Sequence, residues 1–488
     1  MSVEDTRMRD KLRALAGAEL VERLDFLERR QQRRLPDAPL PVPAVDDRLD
    51  ADVIFGGGGL SLLIAAELAG RGISVLVFER ARAGTAHREW NASRSELQVL
   101  VDRGLVDEAT LAGMIVASYK DGFCRFHGGK ADHVVAGVLD QAIDAGALAA
   151  HVRAVAEARG VRFVDGVSVD GLGPGEYGVR VRAKRLGDIP LADQGKPGKD
   201  AVFAQGKLFV DARGASSPYA TADLLCPTVG GVLRGLPEGD GPKRWRRDVG
   251  EILVTTEGIV DGVQHVWEGF PGRDGELTTY LFYYAKAAKL AGRPRLLALY
   301  TRFFETLPSY KDGDPTLVRP TFGYIPGWSR LTRPAAPPHP RAALVGDAAA
   351  RQSPLTFCGF GAMLRSFVGA ADALEKGLTT GRLPPSIVDD AEVHAGTGPL
   401  AALMADSGMQ GDALNHLLDD AFGALADAGN ETYASLLQDR MGREAFRAFV
   451  LQTAGRHPRV YADVFTSLGL VDALRWGAKV TTGLGWKS

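Results

Sequence analysis

The sequence predicts an α/β protein: a Rossmann-like nucleotide-binding domain, an inserted β-sheet domain, and helical extensions at both ends of the chain. Three observations predict it. An apolar stretch, Asp52-Val-Ile-Phe55, runs into four glycines, Gly56 to Gly59, and then into a helix-like segment, Leu60 to Ala69. A second apolar strand, Ile73 to Phe78, ends in Glu79, about 20 residues on from the glycines. Further apolar strands at 207–211 and 342–347 each end in a turn of small residues.

Taken in order, residues 5–34 place Leu12, Leu15, Leu20, Leu24 and Leu27 among many charges, the stripe of an amphipathic helix expected on the outside of the nucleotide domain. A proline-rich strap follows at 35–43. In the glycine turn the backbone can approach a pyrophosphate, and the N–H groups of the first helical turn face its charge. Read as G-x-G-x-x-G, the turn supplies Gly56, Gly58 and, in the third glycine position, Ser61, with Gly59 between them. Only a small residue suits that position, where helix packs closely on strand. Glu79 is placed to accept adenosine ribose hydroxyls, with Arg80 beside it on the cofactor side.

Beyond Glu79, helical patterns are expected at 95–118 and 131–159, a strand at 160–164, and a β-rich insertion at 167–204. A second β region spans 249–285, and from 386 the chain reads as mainly helical. The expected units are therefore 1–48 (helix and strap), 49–166 and 205–235 (nucleotide domain), 167–204 (insertion), 236–340 (substrate β domain), 341–380 (return to the nucleotide domain) and 381–488 (C-terminal helices).

With 488 residues, more than one core is expected. Hydrophobic content of 45%, charged content of 24% and a net charge of −2 give no case for nucleic acid. Three scattered cysteines, Cys124, Cys226 and Cys358, suggest neither a disulfide framework nor a zinc site, and nine scattered histidines suggest no metal centre. The charged N-terminus has no signal-peptide core and no segment is long and apolar enough to span a bilayer, so a cytoplasmic location is expected, with peripheral attachment to the inner membrane face left open.

Three segments together indicate FAD. They are the glycine fingerprint; Val210-Asp-Ala-Arg-Gly214, with Asp211 and Gly214 near the cofactor; and Val345-Gly-Asp347, where Asp347 can hold a ribityl hydroxyl. After the last comes a run through Pro354 and Gly359 to Gly361, leading into a helix whose N-terminus faces the flavin or pyrophosphate. In this order the segments resemble the FAD-binding fold, of glutathione-reductase type, shared by aromatic hydroxylases, geranylgeranyl reductases and lycopene cyclases.

A narrower resemblance rests on five stretches. Arg88-Glu-Trp-Asn-Ala-Ser-Arg-Ser-Glu-Leu97, Phe126-His-Gly-Gly-Lys130, Val266-Trp-Glu-Gly-Phe-Pro271 with Thr278-Thr-Tyr-Leu-Phe-Tyr-Tyr284, Phe322-Gly-Tyr-Ile-Pro326, and the run Gly346 to Gly361 resemble the CruA-type lycopene cyclases and their paralogues. The likeness covers residues 50–370, departs from the family's usual glycine at Ser61, and leaves both helical extensions without a motif to compare. It implies reduced FAD and a cyclisation of lycopene ends to β-rings with no net redox change. A proton is added to a terminal double bond, a neighbouring alkene attacks the cation, and a proton leaves.

Such chemistry needs an acid that keeps its proton in an apolar place. Glu268, between Trp267 and Gly269-Phe270-Pro271, is the candidate, since apolar neighbours disfavour its ionised form; the alternative is an exposed glutamate paired with Arg273. Tyr280, Phe282 and Tyr284 alternate along one strand and either line a polyene slot or fill the sheet core. Trp90, His127, Trp267 and Phe357 complete the expected substrate wall, although a lone histidine such as His127 reads first as structural. Glu89 and Arg94 lie on a loop able to fold over the cofactor, and Cys358 reads as a small buried residue.

A carotenoid substrate requires a membrane-docking face. Lys243-Arg-Trp-Arg-Arg247, or the C-terminal Trp476, Lys479, Trp486 and Lys487, have the chemistry for one. Competing readings are an FAD oxidoreductase that reduces or hydroxylates a lipophilic polyene or isoprenoid, and a non-catalytic flavin-binding partner in a carotenoid assembly. No second nucleotide fingerprint is visible, so NAD(P)H would bind transiently, and the chain has no Trp-x-Trp-x-Ile-Pro segment of a tryptophan halogenase.

Overall fold

The computed structural model describes residues 3–32, 42, 49–86, 89–186, 201–220, 222–273, 275–329, 331, 337, 339–350, 352, 355–356, 358–384, 387 and 394–482. Helices α1 (Val3–Ala16) and α2 (Ala18–Gln32) precede β1 (Ala51–Gly56), α3 (Leu62–Gly70) and β2 (Val75–Glu79). Then come β3 (Glu89–Ala92), α4 (Arg94–Asp102), α5 (Glu108–Met114), β4 (Ile115–Ser118), β5 (Asp121–Arg125), β6 (His133–Ala136), β7 (Gln141–Asp144) and α6 (Ala145–Ala158). Strands β8 (Arg162–Asp165), β9 (Val167–Pro174), β10 (Val179–Arg185), β11 (Ala201–Asp211), β12 (Leu224–Arg234), β13 (Val249–Val254), β14 (Val266–Pro271), β15 (Glu276–Phe282) and β16 (Ala285–Lys286) follow. The chain continues through α7 (Leu296–Tyr310), β17 (Thr316–Gly327), β18 (Ala342–Leu344) and α8 (Gly359–Thr380). It ends in α9 (His394–Ala405), α10 (Ala413–Asp427), α11 (Asn430–Leu437), α12 (Arg443–Arg456), α13 (Val460–Leu468) and α14 (Leu470–Thr482).

The first sheet has the order β8-β2-β1-β11-β10-β9, with β18 also paired to β11. In its parallel part, β8-β2-β1-β11 with β18, the inner strands β1 and β2 are buried on both faces, which is why they read as unbroken apolar runs. Helix α3 is apolar apart from Glu67, which pairs with Arg71 and Arg103, because it lies in the same core as α6 and α8. Strands β9 and β10, the expected insertion, extend this sheet antiparallel, and their inward residues pack with Ile54 and Phe209.

The second sheet runs β16-β12-β15-β14-β13-β5-β6, with β17 on β12. The substrate region therefore takes in β5 and β6 from 121–136 and β12 from 224–234, all outside the 236–340 range expected for it. Residues 131–159, expected to be helical throughout, hold β6 and β7 before α6 begins. Both strands are four residues long, too short for a period-2 pattern to stand out.

One face of the second sheet is covered by α7, where Trp267 stacks on Tyr310 at 4.6 Å between ring centres. Helices α1 and α2 pack their apolar residues Met8, Leu12, Val21 and Leu24 on this side, whereas the nucleotide domain, their expected place, meets α2 at Phe26 beneath Arg80. Glu28 of α2 accepts the Leu296 N–H at 2.7 Å at the N-terminus of α7, a favourable end for a carboxylate. The opposite face looks into a cavity and meets the C-terminal helices, whose Leu417, Phe422 and Tyr433 share a core with Phe270 and Phe282.

Candidate functional site

The three cofactor segments converge at the carboxyl ends of β1, β11 and β18. Gly57, with φ +112°, lies so close to Ala212 that a Cβ would strike its carbonyl oxygen, and Ala212 in turn donates its N–H to Gly56 at 2.8 Å. A Cβ on Gly58 would stand 2.6 Å from that of Ala83, whereas Gly59 faces open space. Val345 donates its N–H to Asp211 at 3.0 Å, and Gly214 lies against Asp347. The turn thus presents bare backbone and the first turn of α3 to an open side, a surface that fits a pyrophosphate.

Glu79 ends β2 and accepts the Gly58 N–H at 2.6 Å, so its carboxylate stands at the glycine turn. Ser61 fills the third fingerprint position and donates its hydroxyl to the Gly57 carbonyl at 3.0 Å, closing the turn. Asp347 is exposed, borders the cavity, and accepts from Gln352 at 3.1 Å. Gly346 precedes it, and Gly359 and Gly361 open α8, with Gly361 close to the ion pair of Glu96 and Arg365.

Two expected cofactor residues are engaged elsewhere. Asp211 is buried and its carboxylate is taken up by Arg213 at 2.7 and 3.0 Å and by the Ser217 hydroxyl at 2.6 Å, so its side chain anchors the turn and does not face a ligand. Arg80 lays its guanidinium over the Phe26 ring of α2 at 5.0 Å. Pro354 and Phe357 lie outside the described residues.

A cavity of about 440 Å³ opens beside Asp347. Its floor is the inner face of the second sheet. Register places Glu268 of β14 opposite Tyr280 of β15, which stands opposite Gly230 of β12 and then Thr321 of β17. Two residues along, Val266 pairs with Phe282, and Phe282 with Thr228. Glu268, Phe270, Tyr280, Phe282, Thr228 and Thr321 all border the cavity; Trp90, Asn91, Cys358 and Phe360 form the wall toward the nucleotide domain. Trp90 meets Phe360 at 5.1 Å between ring centres.

Glu268 has no hydrogen-bond or ion-pair partner among the described residues, and burial alone pushes its pKa up to about 8. Arg273, its alternative partner on sequence grounds, is exposed and pairs with Asp144 at 2.5 Å. Glu89, also on the cavity wall, is held by Arg319 at 2.9 Å, so the two glutamates of the lining differ: Glu89 is paired and Glu268 has no partner among the described residues. Burial raises the Cys358 thiol to about 12, which keeps it protonated and unreactive.

Three expected substrate residues lie elsewhere. Trp267 is on the other face of β14, buried against Phe303 and Tyr310, because adjacent strand residues point to opposite sides. Tyr284 lies past the end of β15, buried, donating its hydroxyl to the Leu355 carbonyl at 2.5 Å. His127 pairs with Asp412 at 2.9 Å on the surface near α10. The period of two counted from Glu268 identifies Phe270, a cavity residue absent from the expected set. Arg23 of α2, also at the cavity, has no signal in the sequence because helix and sheet are remote in the chain.

In the basic segment 243–247, Trp245 is buried and donates its indole N–H to Leu236 at 3.0 Å, whereas Arg244, Arg246 and Arg247 are exposed, the last paired with Glu238. No described helix is long and apolar enough to cross a membrane.

No protein-family model and no curated protein matches the sequence. Solved structures do. A geranylgeranyl bacteriochlorophyll reductase-like protein from Thermoplasma acidophilum superposes with a TM-score of 0.53 at 15% identity, covering 85% of this chain and 98% of its own. The halogenase PltM, in complex with phloroglucinol and FAD, gives 0.55 at 12% identity over 90% and 100% of the two chains. The myxobacterial FAD-dependent halogenase CndH gives 0.50 at 15% identity over 83% and 97%. The chain has the Rossmann-type flavoprotein fold these proteins share.

Proposed function

We propose that the protein is an FAD-dependent enzyme that protonates a carbon–carbon double bond of a lipophilic isoprenoid, with cyclisation of lycopene ends as the specific reading. One observation carries it: a carboxyl group without a partner among the described residues, Glu268, raised to about 8 by burial and standing among aromatic rings beside the segment that ends in Asp347. The fold supports FAD, and the open glycine turn, Glu79 at its edge and Asp347 at the cavity suit its pyrophosphate, ribose and ribityl chain. When bound in reduced form, FAD would supply negative charge beside a carbocation.

The chain's own residues account for the proton. At neutral pH Glu268 is mostly the neutral acid and can donate to an alkene carbon. Positive charge then develops within reach of the Tyr280 and Phe282 rings, whose faces attract cations. Ring closure moves the charge, and the Glu268 carboxylate recovers a proton from the carbon beside it, so the product is an isomer of the substrate. Phe270 and Trp90 keep water from the cation, and Arg319 pairs with Glu89 on the cavity wall.

The likeness to a geranylgeranyl bacteriochlorophyll reductase-like protein favours a second reading, in which the same acid protonates an alkene while NAD(P)H, through FAD, provides two electrons. Product mass separates them. Incubation with lycopene and reduced FAD should give product of unchanged mass; a gain of two hydrogens with nicotinamide consumption establishes the reductase. Glu268→Gln should keep its FAD and lose at least about 10²-fold in turnover under either reading. Full turnover in that variant removes the acid assignment.

A further inference from the structure

The C-terminal helices carry an apolar surface that no described part of the chain covers. Exposed large apolar side chains gather here: Leu451 on α12, Tyr461 and Phe465 on α13, and Leu470, Val471 and Leu474 on α14 are 43–66% exposed. Leu470, Val471 and Leu474 form a strip along α14, separate from the strip of Ala473, Trp476 and Val480 that packs on the protein. Tyr461 and Phe465 are one turn apart on α13, and only Gly469, at φ +78°, separates the two helices. Scattered exposed leucines need no explanation; six large apolar side chains exposed on three consecutive helices do.

Charge identifies what covers it. Residues 443–482 hold six Lys or Arg against three Asp or Glu, in a chain whose net charge is −2. Arg475, 61% exposed, follows Leu474 directly and pairs with Asp472 at 3.2 Å, and Arg447 lies one turn before Leu451, 3.7 Å from Glu444. Apolar side chains flanked by cations suit the boundary between acyl chains and anionic headgroups. Behind this face runs one apolar core, from Leu468 through Phe446 and Leu417 to Phe270 and Phe282 at the cavity.

We propose that α12–α14 dock the protein on the surface of an anionic bilayer, with the exposed side chains of α13 and α14 entering the headgroup region and no helix crossing it. The proposal stands apart from the chemistry at Glu268, and its failure leaves that reading untouched. The test uses the full FAD-loaded chain with vesicles of phosphatidylcholine alone and of phosphatidylcholine with about one third phosphatidylglycerol, read by co-sedimentation. Binding should require the anionic lipid, weaken with salt, and fall about tenfold or more in the variant Leu470→Glu, Val471→Glu, Leu474→Glu. Unchanged flavin content and far-UV circular dichroism establish that this variant is folded. Absence of vesicle binding, or binding unaltered by the triple substitution, overturns the proposal. So does sedimentation showing a dimer that the substitution splits while the parent ignores vesicles, since the face would then belong to a second copy.

Discussion

A carboxyl group that holds its proton to about pH 8 leaves a mark on stability as well as on turnover. Glu268 has a folded pKa of about 8 against 4.5 when exposed, so the folded chain binds more protons than the unfolded one between those values. Stability associated with this group is fully present below about pH 4.5 and is lost as pH rises through 8. Glu268→Gln, neutral at all pH, should therefore be more stable than the parent at pH 9, by on the order of a few kcal/mol, and no more stable at pH 5. Calorimetric scans at the two pH values check it; equal curves at pH 9 mean the side chain is hydrated. In sequence, the apolar neighbours of Glu268 left a lone carboxyl and an ion pair with Arg273 both open, and it is the fold that gives Arg273 to Asp144. That Trp267 turns the other way followed from strand periodicity, and its bulk obscured this.

At the scale of elements, the second sheet is tied to α7 by a buried ion pair. Lys311, following α7, meets Glu251 of β13, and both are almost fully buried. Removing one partner strands a charge, so Lys311→Met should cost about 3–5 kcal/mol in urea unfolding, whereas Lys311→Met with Glu251→Gln should recover most of it. A double variant as unstable as the single one would mean that packing, not charge, holds the junction. Strongly patterned elements such as β1, α3 and β2 were legible because burial on both faces writes itself as continuous apolar sequence. The short β5, β6 and β7 were not, since four or five residues of mixed character carry no period and take their structure from partners. Asp211 illustrates the same limit: the small residues around it marked the turn, but only the fold revealed that Arg213 claims its carboxylate.

For the whole molecule, cofactor and stability are linked by mass action. Three segments from across the chain converge on one open turn, so FAD at about 100 times its dissociation constant should stabilise the folded state by roughly 2.7 kcal/mol. A thermal midpoint that climbs with FAD concentration, and does not with riboflavin at the same concentrations, checks that the dinucleotide's pyrophosphate is held. The overall class and the cofactor segments could be read from sequence because glycine turns and strand-end carboxylates are local. The cavity could not, because its walls come from as far apart as Arg23 and Phe360.

The parallel pairing of β5 with β13 has an outcome for biogenesis. Chain emitted early, at 121–125, waits beside a nascent nucleotide domain until strands more than a hundred residues later are synthesised and can enclose it. No single cut between the two sheets yields two self-sufficient pieces, so an N-terminal fragment ending near residue 235 would emerge with unpaired strand edges and be a client for chaperones.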